Sequence, residues 1–344
     1  MEKKILMWTT WSFGLLTVVM CTSLYLMPFF REGFPTINLK FPSFWSDETQ
    51  VQIDSEQELQ ADKLNIELPE GIATEAIEIE NDYIGHTVYI RFPKVIENYS
   101  ENYIIQGSSN HIAGVSYYKE GGKGVLQINL DKACENNYTY KDGFLSMEFK
   151  GLHEVYEKVV VIDAGHGGKQ PGAVKNDISE KDLNLQIVLQ LKEMLDKVDE
   201  SKLKVFYTRL DDTNPTLQDR AGMANQLNAD LFISVHNNSS STGKFSDLNG
   251  TMVLYSPDAN DSSSKRLAQI CLENVTKSAG STDRGLVKGD NIYIVRASEV
   301  PVALIEVGYM TNLEELNNLC MPAYQKKVAQ GIYNAIMEAF EKGF

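Results

Sequence analysis

The chain has little positive charge, few histidines and cysteines, no internal repeats and no low-complexity tract. Each shortage excludes something. Asp+Glu 47 against Lys+Arg 32 gives a formal net charge of -15, and nucleic acid, which needs a basic surface, is excluded as a partner. The four cysteines offer no CxxC and no metal-site spacing. Cys21 lies in an apolar run and Cys134 in mid-chain; Cys271 and Cys320 could pair in an exported domain but read as two buried thiols. Of the five histidines, His86, His111 and His153 have no partner pattern and read as ordinary surface or core residues. That leaves His166 and His236.

Long apolar runs are also scarce, with one exception. Residues 5–30 carry no charge, follow Lys3 and Lys4, and are closed by Arg31. Roughly 20 apolar residues span a bilayer. No small-x-small cleavage site is evident, so an uncleaved transmembrane helix is expected rather than a cleaved signal peptide or a buried soluble helix. The lysines before the span keep the amino terminus cytoplasmic and export everything after it. The expected location is the cell membrane, single-pass, with the functional domain outside and the protein monomeric.

Hydrophobic residues make up 43% of the chain, as in a folded protein. Residues 1–31 are read as the cytoplasmic start and anchor, and 32–58, irregular and acidic with Pro35 and Pro42, as a stalk. From 59 to 152 short period-2 strands alternate with turns: Val88, Ile90 and Phe92, then Leu126, Ile128 and Leu130, then Leu145, Met147 and Phe149. That pattern predicts a small all-β sandwich. From 157 to 344 the rhythm changes. Strand-like runs at 159–163, 204–208, 231–235, 251–255, 292–295 and 302–307 alternate with helical patterns at 180–198, 217–227, 265–278 and 324–340. This predicts an α/β domain with a mostly parallel twisted sheet flanked by helices.

The run VVVIDAGHGG, residues 159–168, ends a buried strand on a histidine between glycines, which give an imidazole room and let the backbone turn. Ligands in open α/β sheets gather beyond the carboxyl ends of strands. A second strand ends in His236 and a third runs into Glu306. Glu180 opens the first helix after Ser179, a residue type that caps helix starts, with Asp182 in a capping-box-like position; by itself Glu180 could equally serve the helix dipole. Two histidines and a glutamate would supply three ligands to a catalytic zinc that keeps its fourth position for water. Glu306 then remains to take that water's proton.

Seven separated motifs, DAGHGGKQPGA, SEKDLNL, VFYTRLDD, LQDRAGMAN, ADLFISVHNN, DRGL and PVALIEVGYMTN, closely resemble the zinc-dependent N-acetylmuramoyl-L-alanine amidases of family 3. The resemblance covers residues 157–342. It implies that one zinc is held by His166, Glu180 and His236, that Glu306 is the catalytic glutamate, and that Asn238 and Arg284 bind substrate, a structural salt bridge being the alternative for Arg284. It implies peptidoglycan as substrate, cut between the lactyl group of N-acetylmuramic acid and L-alanine. The sandwich looks like an AMIN domain, a cell-envelope targeting module. Some relatives carry a blocking helix between the second histidine and the last glutamate; the interval here has no room for one, so constitutive activity is expected. No carboxy-terminal wall-binding repeat is expected. The competing readings are a non-catalytic wall-binding or scaffold protein and another zinc peptidase or deacetylase of the envelope.

Overall fold

The computed structural model describes residues 49–50, 63–257 and 262–344. The anchor read at 5–30 lies outside the described residues, as does nearly all of the stalk. Among the described residues no helix is long and apolar enough to cross a membrane. Within the stretch read as stalk, β1 (Thr49–Gln50) pairs antiparallel with Tyr117 and Ser116, so strand pairing begins before residue 59.

Eight further strands build the amino-terminal part: β2 (Lys63–Glu67), β3 (Glu78–Asp82), β4 (Thr87–Phe92), β5 (Ile105–Ser108), β6 (Ile112–Glu120), β7 (Lys123–Leu130), β8 (Cys134–Lys141) and β9 (Phe144–Gly151). They form two antiparallel sheets, in order β1-β6-β7-β4-β3 and β5-β2-β9-β8, with a short helix α1 (Tyr99–Asn102) between β4 and β5. Alternation along the strands decides how they pack. Val88, Ile90 and Phe92 from one sheet meet Leu145, Met147 and Phe149 from the other in a single apolar core. That is the expected sandwich.

The carboxy-terminal part holds a six-stranded sheet in order β13-β10-β14-β17-β15-β16. Its strands are β10 (Lys158–Ala164), β13 (Leu203–Tyr207), β14 (Leu231–Asn238), β15 (Thr251–Tyr255), β16 (Asp283–Lys288) and β17 (Val302–Tyr309), while β11 (Val174–Lys175) and β12 (Ile178–Ser179) pair as a separate hairpin. Four of the five neighbour pairings are parallel, and only β15 against β17 is antiparallel. Residues from Val159 to Ala164 are all buried, because both faces of the sheet are covered. On one face Val160 and Ile162 pack under helices α3 (Glu180–Leu195), α5 (Ser263–Ala279) and α8 (Pro322–Glu341), through Ile187, Leu267 and Ile332 among others.

The opposite face is covered in an unexpected way. Val159, Val161 and Phe232 pack with Ala224 at α4 (Leu217–Gln226), but also with Ala133, Leu152 and Tyr156 from the end of the sandwich and its connecting helix α2 (Leu152–Val155). Polar contacts follow the apolar ones. Tyr83 and Tyr156 donate to Glu135 at 2.8 and 2.6 Å, Lys204 donates to Tyr156 at 3.1 Å, and the Tyr83 ring meets Phe206 edge-on at 5.3 Å. The His86 ring reaches the Gln226 carbonyl at the end of α4, 3.0 Å away. The three histidines read as ordinary do have partners, His111 with Asp131 and Glu154, and His153 with Asp230.

Two sequence expectations need correction. The run 292–295 is not a strand; it holds helix α6 (Tyr293–Arg296), whose Ile294 and Val295 are buried. A four-residue apolar run has no period long enough to separate helix from strand. The strand position falls instead to β16, from the DRGL segment, at the edge of the sheet. Cys271 is buried and Cys320 exposed, and both are free thiols, so only the first matches the expectation of burial. A short helix, α7 (Leu313–Leu319), was not anticipated; Asn312 caps it by accepting from the backbone of Glu314 and Glu315.

Because one apolar cluster joins sandwich and sheet within the unit Asp47–Phe344, the two parts should unfold together. Scanning calorimetry of that unit is expected to show one cooperative transition; two well-separated transitions would contradict a shared core.

Candidate metal centre

β10 delivers the chain at Ala164 into Gly165-His166-Gly167-Gly168. His166 adopts φ 62, and the two glycines after it also have positive φ, so the turn is sharp and left-handed. Gly165 is required by close approach: a Cβ there would lie 2.1 Å from His236 Nε2. A Cβ at Gly172 would lie 2.4 Å from Glu180 Oε2. The glycines therefore clear space for ligand side chains.

His236, two residues before the end of β14, is in direct register with Glu306 of β17. The His166 and His236 rings meet edge to face, with centroids 4.9 Å apart. Glu180 is the first residue of α3; Ser179 occupies the N-cap position but its side chain makes no cap bond. The Glu180 carboxylate turns to the histidines instead, its Oε1 lying 3.2 Å from His166 Nε2 and 2.9 Å from His236 Nδ1. Its Oε2 accepts from the Ala173 backbone at 2.9 Å. One ligand atom from each of His166, Glu180 and His236 lies within 4.8 Å of the others.

Electrostatics separates the two glutamates. Burial alone would raise Glu180, but its bonds to His166 and His236 overcome it and hold the carboxyl well below the ordinary range. His236 moves the opposite way: burial would lower it, yet the Glu180 bond and charge hold it above its usual value. Glu306 has no such bond. Burial pushes it up to about 7, against the pull of His236, and its Oε2 is buried without a hydrogen-bond partner. Two nitrogens and one stabilised carboxylate oxygen converging on a point form a donor set that fits zinc. The residues thus suit the metal that the motifs imply. Glu306 borders the same cleft of about 670 Å³, which His166, Glu180, His236 and Asn238 also line.

Residues 160–338 match the family N-acetylmuramoyl-L-alanine amidase over more than half of the chain. The chain belongs to that family. Among its relatives, the germination-specific N-acetylmuramoyl-L-alanine amidase of Bacillus subtilis (strain 168) is 30% identical over 201 residues, which is 54% of this chain and 81% of that protein. The uncharacterized protein YqiI of the same strain is 35% identical over 185 residues, 54% of this chain and 86% of that one. Among solved structures, an N-acetylmuramoyl-L-alanine amidase from Clostridium difficile 630 aligns with TM-score 0.51 and 34% identity, covering 54% of this chain and 98% of that chain. The α/β domain is a cell-wall amidase domain.

In the amidase domain the two residues named for substrate binding are placed differently. Asn238 lines the cleft, where its Oδ1 accepts from the Ser239 backbone at 2.7 Å. Arg284 sits on edge strand β16, outside that lining, and donates to the Asn249 carbonyl and side chain at 2.5 and 3.0 Å. Among the described residues this guanidinium makes no salt bridge, and its partners are on Asn249. The cleft instead gains Leu217 from α4 and Asn291, Ile292 and Tyr293 from the segment read as a strand.

Two buried arginines of the amidase were quoted within motifs but given no role. Arg209 donates to the carbonyls of Ala164, Gly165 and Lys181 at 2.7, 3.0 and 2.8 Å. Arg220 donates to the carbonyls of Ala164 and His166 at 2.8 and 2.7 Å, and to Asp163 at 2.5 Å. Asp163 also accepts from Thr208 and Ser234, both at 2.6 Å. Burial would raise this carboxyl, and the Arg220 charge reverses the shift and keeps it ionised. No local pattern marks these residues, since the carbonyls of Ala164, Gly165 and His166 that they bind are more than 40 positions away. Replacing Arg220→Ala strands the Asp163 charge in the core, and breaking a buried pair from one side costs about 3–5 kcal/mol. Urea unfolding should register a loss of that order; a loss as small as that of a surface pair would show that this pair does not hold the loop.

Proposed function

We propose that the protein hydrolyses the amide between the lactyl group of N-acetylmuramic acid and L-alanine of the peptidoglycan stem peptide, with one zinc held by His166, Glu180 and His236. The observation that carries this reading is the meeting of those three side chains beside Glu306, in a domain of the amidase family. Bound zinc would supply Lewis-acid polarisation of water and of the scissile carbonyl.

The chain's own residues do the rest. His166 and His236 are held at strand ends, and Glu180 at a helix start, so the ligands are set before substrate arrives. Glu306, raised into the neutral range by burial, is suited to take a proton from the attacking water and return it to the leaving L-alanine nitrogen. Asn238 is placed to hydrogen-bond substrate in the cleft. The four-residue constellation speaks against a non-catalytic scaffold, and the family relatives, named as muramoyl-alanine amidases, speak against a peptidase or deacetylase.

The proposal extends to location. Residues 5–30 serve as an uncleaved anchor, the amino terminus stays cytoplasmic, and the amidase domain works outside the membrane as a monomer. The sandwich is AMIN-like and serves envelope targeting. A net charge of -15 leaves nucleic acid out of the partners.

Mass spectrometry of digested peptidoglycan tests the chemistry. Free stem peptides with an L-alanine amino terminus are expected, and their loss on adding a chelator with recovery on adding zinc. Release of muropeptides with the lactyl–alanine bond intact, or full activity in metal-free protein, would defeat the reading. Glu306→Gln should keep zinc yet lower turnover by about 10² to 10⁴-fold, the usual contribution of general acid–base catalysis. Loss of the metal in that variant would make Glu306 a ligand rather than a base.

A further inference from the structure

Asn184 lies one turn beyond Glu180 on α3 and is fully buried. Its neighbours on that face, Leu183, Ile187, Val188 and Leu191, pack on the sheet. An amide among them is tolerated only where its hydrogen bonds are made. They are made, and their partners are informative. Asn184 Nδ2 donates to the Gly165 carbonyl at 3.0 Å and faces Glu180 Oε1 at 3.4 Å. Its Oδ1 accepts from Asn237 Nδ2 at 2.8 Å.

The sense of this chain is settled by chemistry. A carbonyl and an ionised carboxylate can only accept, so the Asn184 amide nitrogen must face them. Its oxygen is then left to accept, which obliges Asn237 to present its own nitrogen. The Asn237 backbone N–H donates to Glu180 Oε1 as well, at 3.2 Å. One buried amide therefore touches Gly165, which precedes His166, Asn237, which follows His236, and Glu180 itself. Every element that carries a metal ligand is tied to it.

We propose that Asn184, backed by Asn237, is the positioning residue that orients the Glu180 carboxylate and thereby sets the zinc affinity of the His166, Glu180 and His236 group. The inference rests on the zinc reading above. Partners that orient metal ligands typically account for 10–100-fold in metal affinity. Asn184→Leu keeps the branched shape and removes the donor; Asn237→Ala removes only the supporting amide and leaves the backbone donor in place.

Zinc titration of the full chain against a competing chelator reads the effect. Asn184→Leu is expected to bind zinc about 10–100-fold more weakly, and Asn237→Ala to be weakened in the same direction but less. In cobalt-substituted protein the visible absorption bands of both variants should shift, as a changed carboxylate geometry requires and a loss of stability alone does not. Should Asn184→Leu fail to fold, Asn237→Ala decides: unchanged zinc affinity and unchanged cobalt bands in a folded variant overturn the inference. A parent chain that binds no zinc overturns the zinc reading and this inference with it. A parent that binds zinc with variants that match it overturns the inference alone.

Discussion

The three carbonyls at the end of β10 converge on two buried guanidinium groups, and the site depends on that convergence. Ala164 ends β10, Gly165 and His166 follow it into the left-handed turn, and the oxygens of all three accept from these arginines. A turn of this kind would open to water if it were free. Arg209 and Arg220 each bind two of these oxygens, and Arg220 is itself held by the Asp163 charge. Guanidinium is suited to this because its donors lie in one rigid plane and it never loses its proton. The histidine between the glycines is thus presented by charges from other parts of the chain, not by its own backbone.

Charge balance then separates two acids that line the same cleft as His166 and His236. Glu180 is ionised because donors converge on it from His166, His236, Asn237 and Ala173. Glu306 lies opposite His236 in register but receives no such bond, so burial prevails and its charge is only loosely held. A carboxylate that stays charged suits a metal; one that titrates near neutrality suits a proton carrier. The same residue type is held in two electrostatic states by what surrounds it.

The sandwich enters this economy through shape. It shares a core with the amidase sheet through Ala133, Leu152 and Tyr156, and its His86 touches the end of α4. α4 carries Arg220 on one side and Leu217 at the cleft rim. The sandwich precedes the amidase domain in sequence and packs against the face opposite α3, α5 and α8.

Much was legible in the residues. Period-2 alternation marked the sandwich strands, and Val88, Ile90, Phe92 and their counterparts are buried as that pattern requires. Apolar strands ending abruptly in His166, His236 and Glu306 marked one edge of the sheet, because strand ends in a parallel sheet lie together whatever the loops do. Three things needed the folded chain. Ile294 and Val295 became helix and DRGL became the edge strand, since a run so short carries no period of its own. Arg209, Arg220 and Asn184 acquired roles from partners scattered through the chain, and a helix position that looks apolar or polar in one dimension says nothing of what it meets across the core. The surroundings of Arg284 are of the same kind: a guanidinium near a motif goes to whichever acceptor the fold brings within reach, and here that is Asn249. Local order determined the elements and the chemistry of the four site residues; long-range packing alone decided which charges hold them in place.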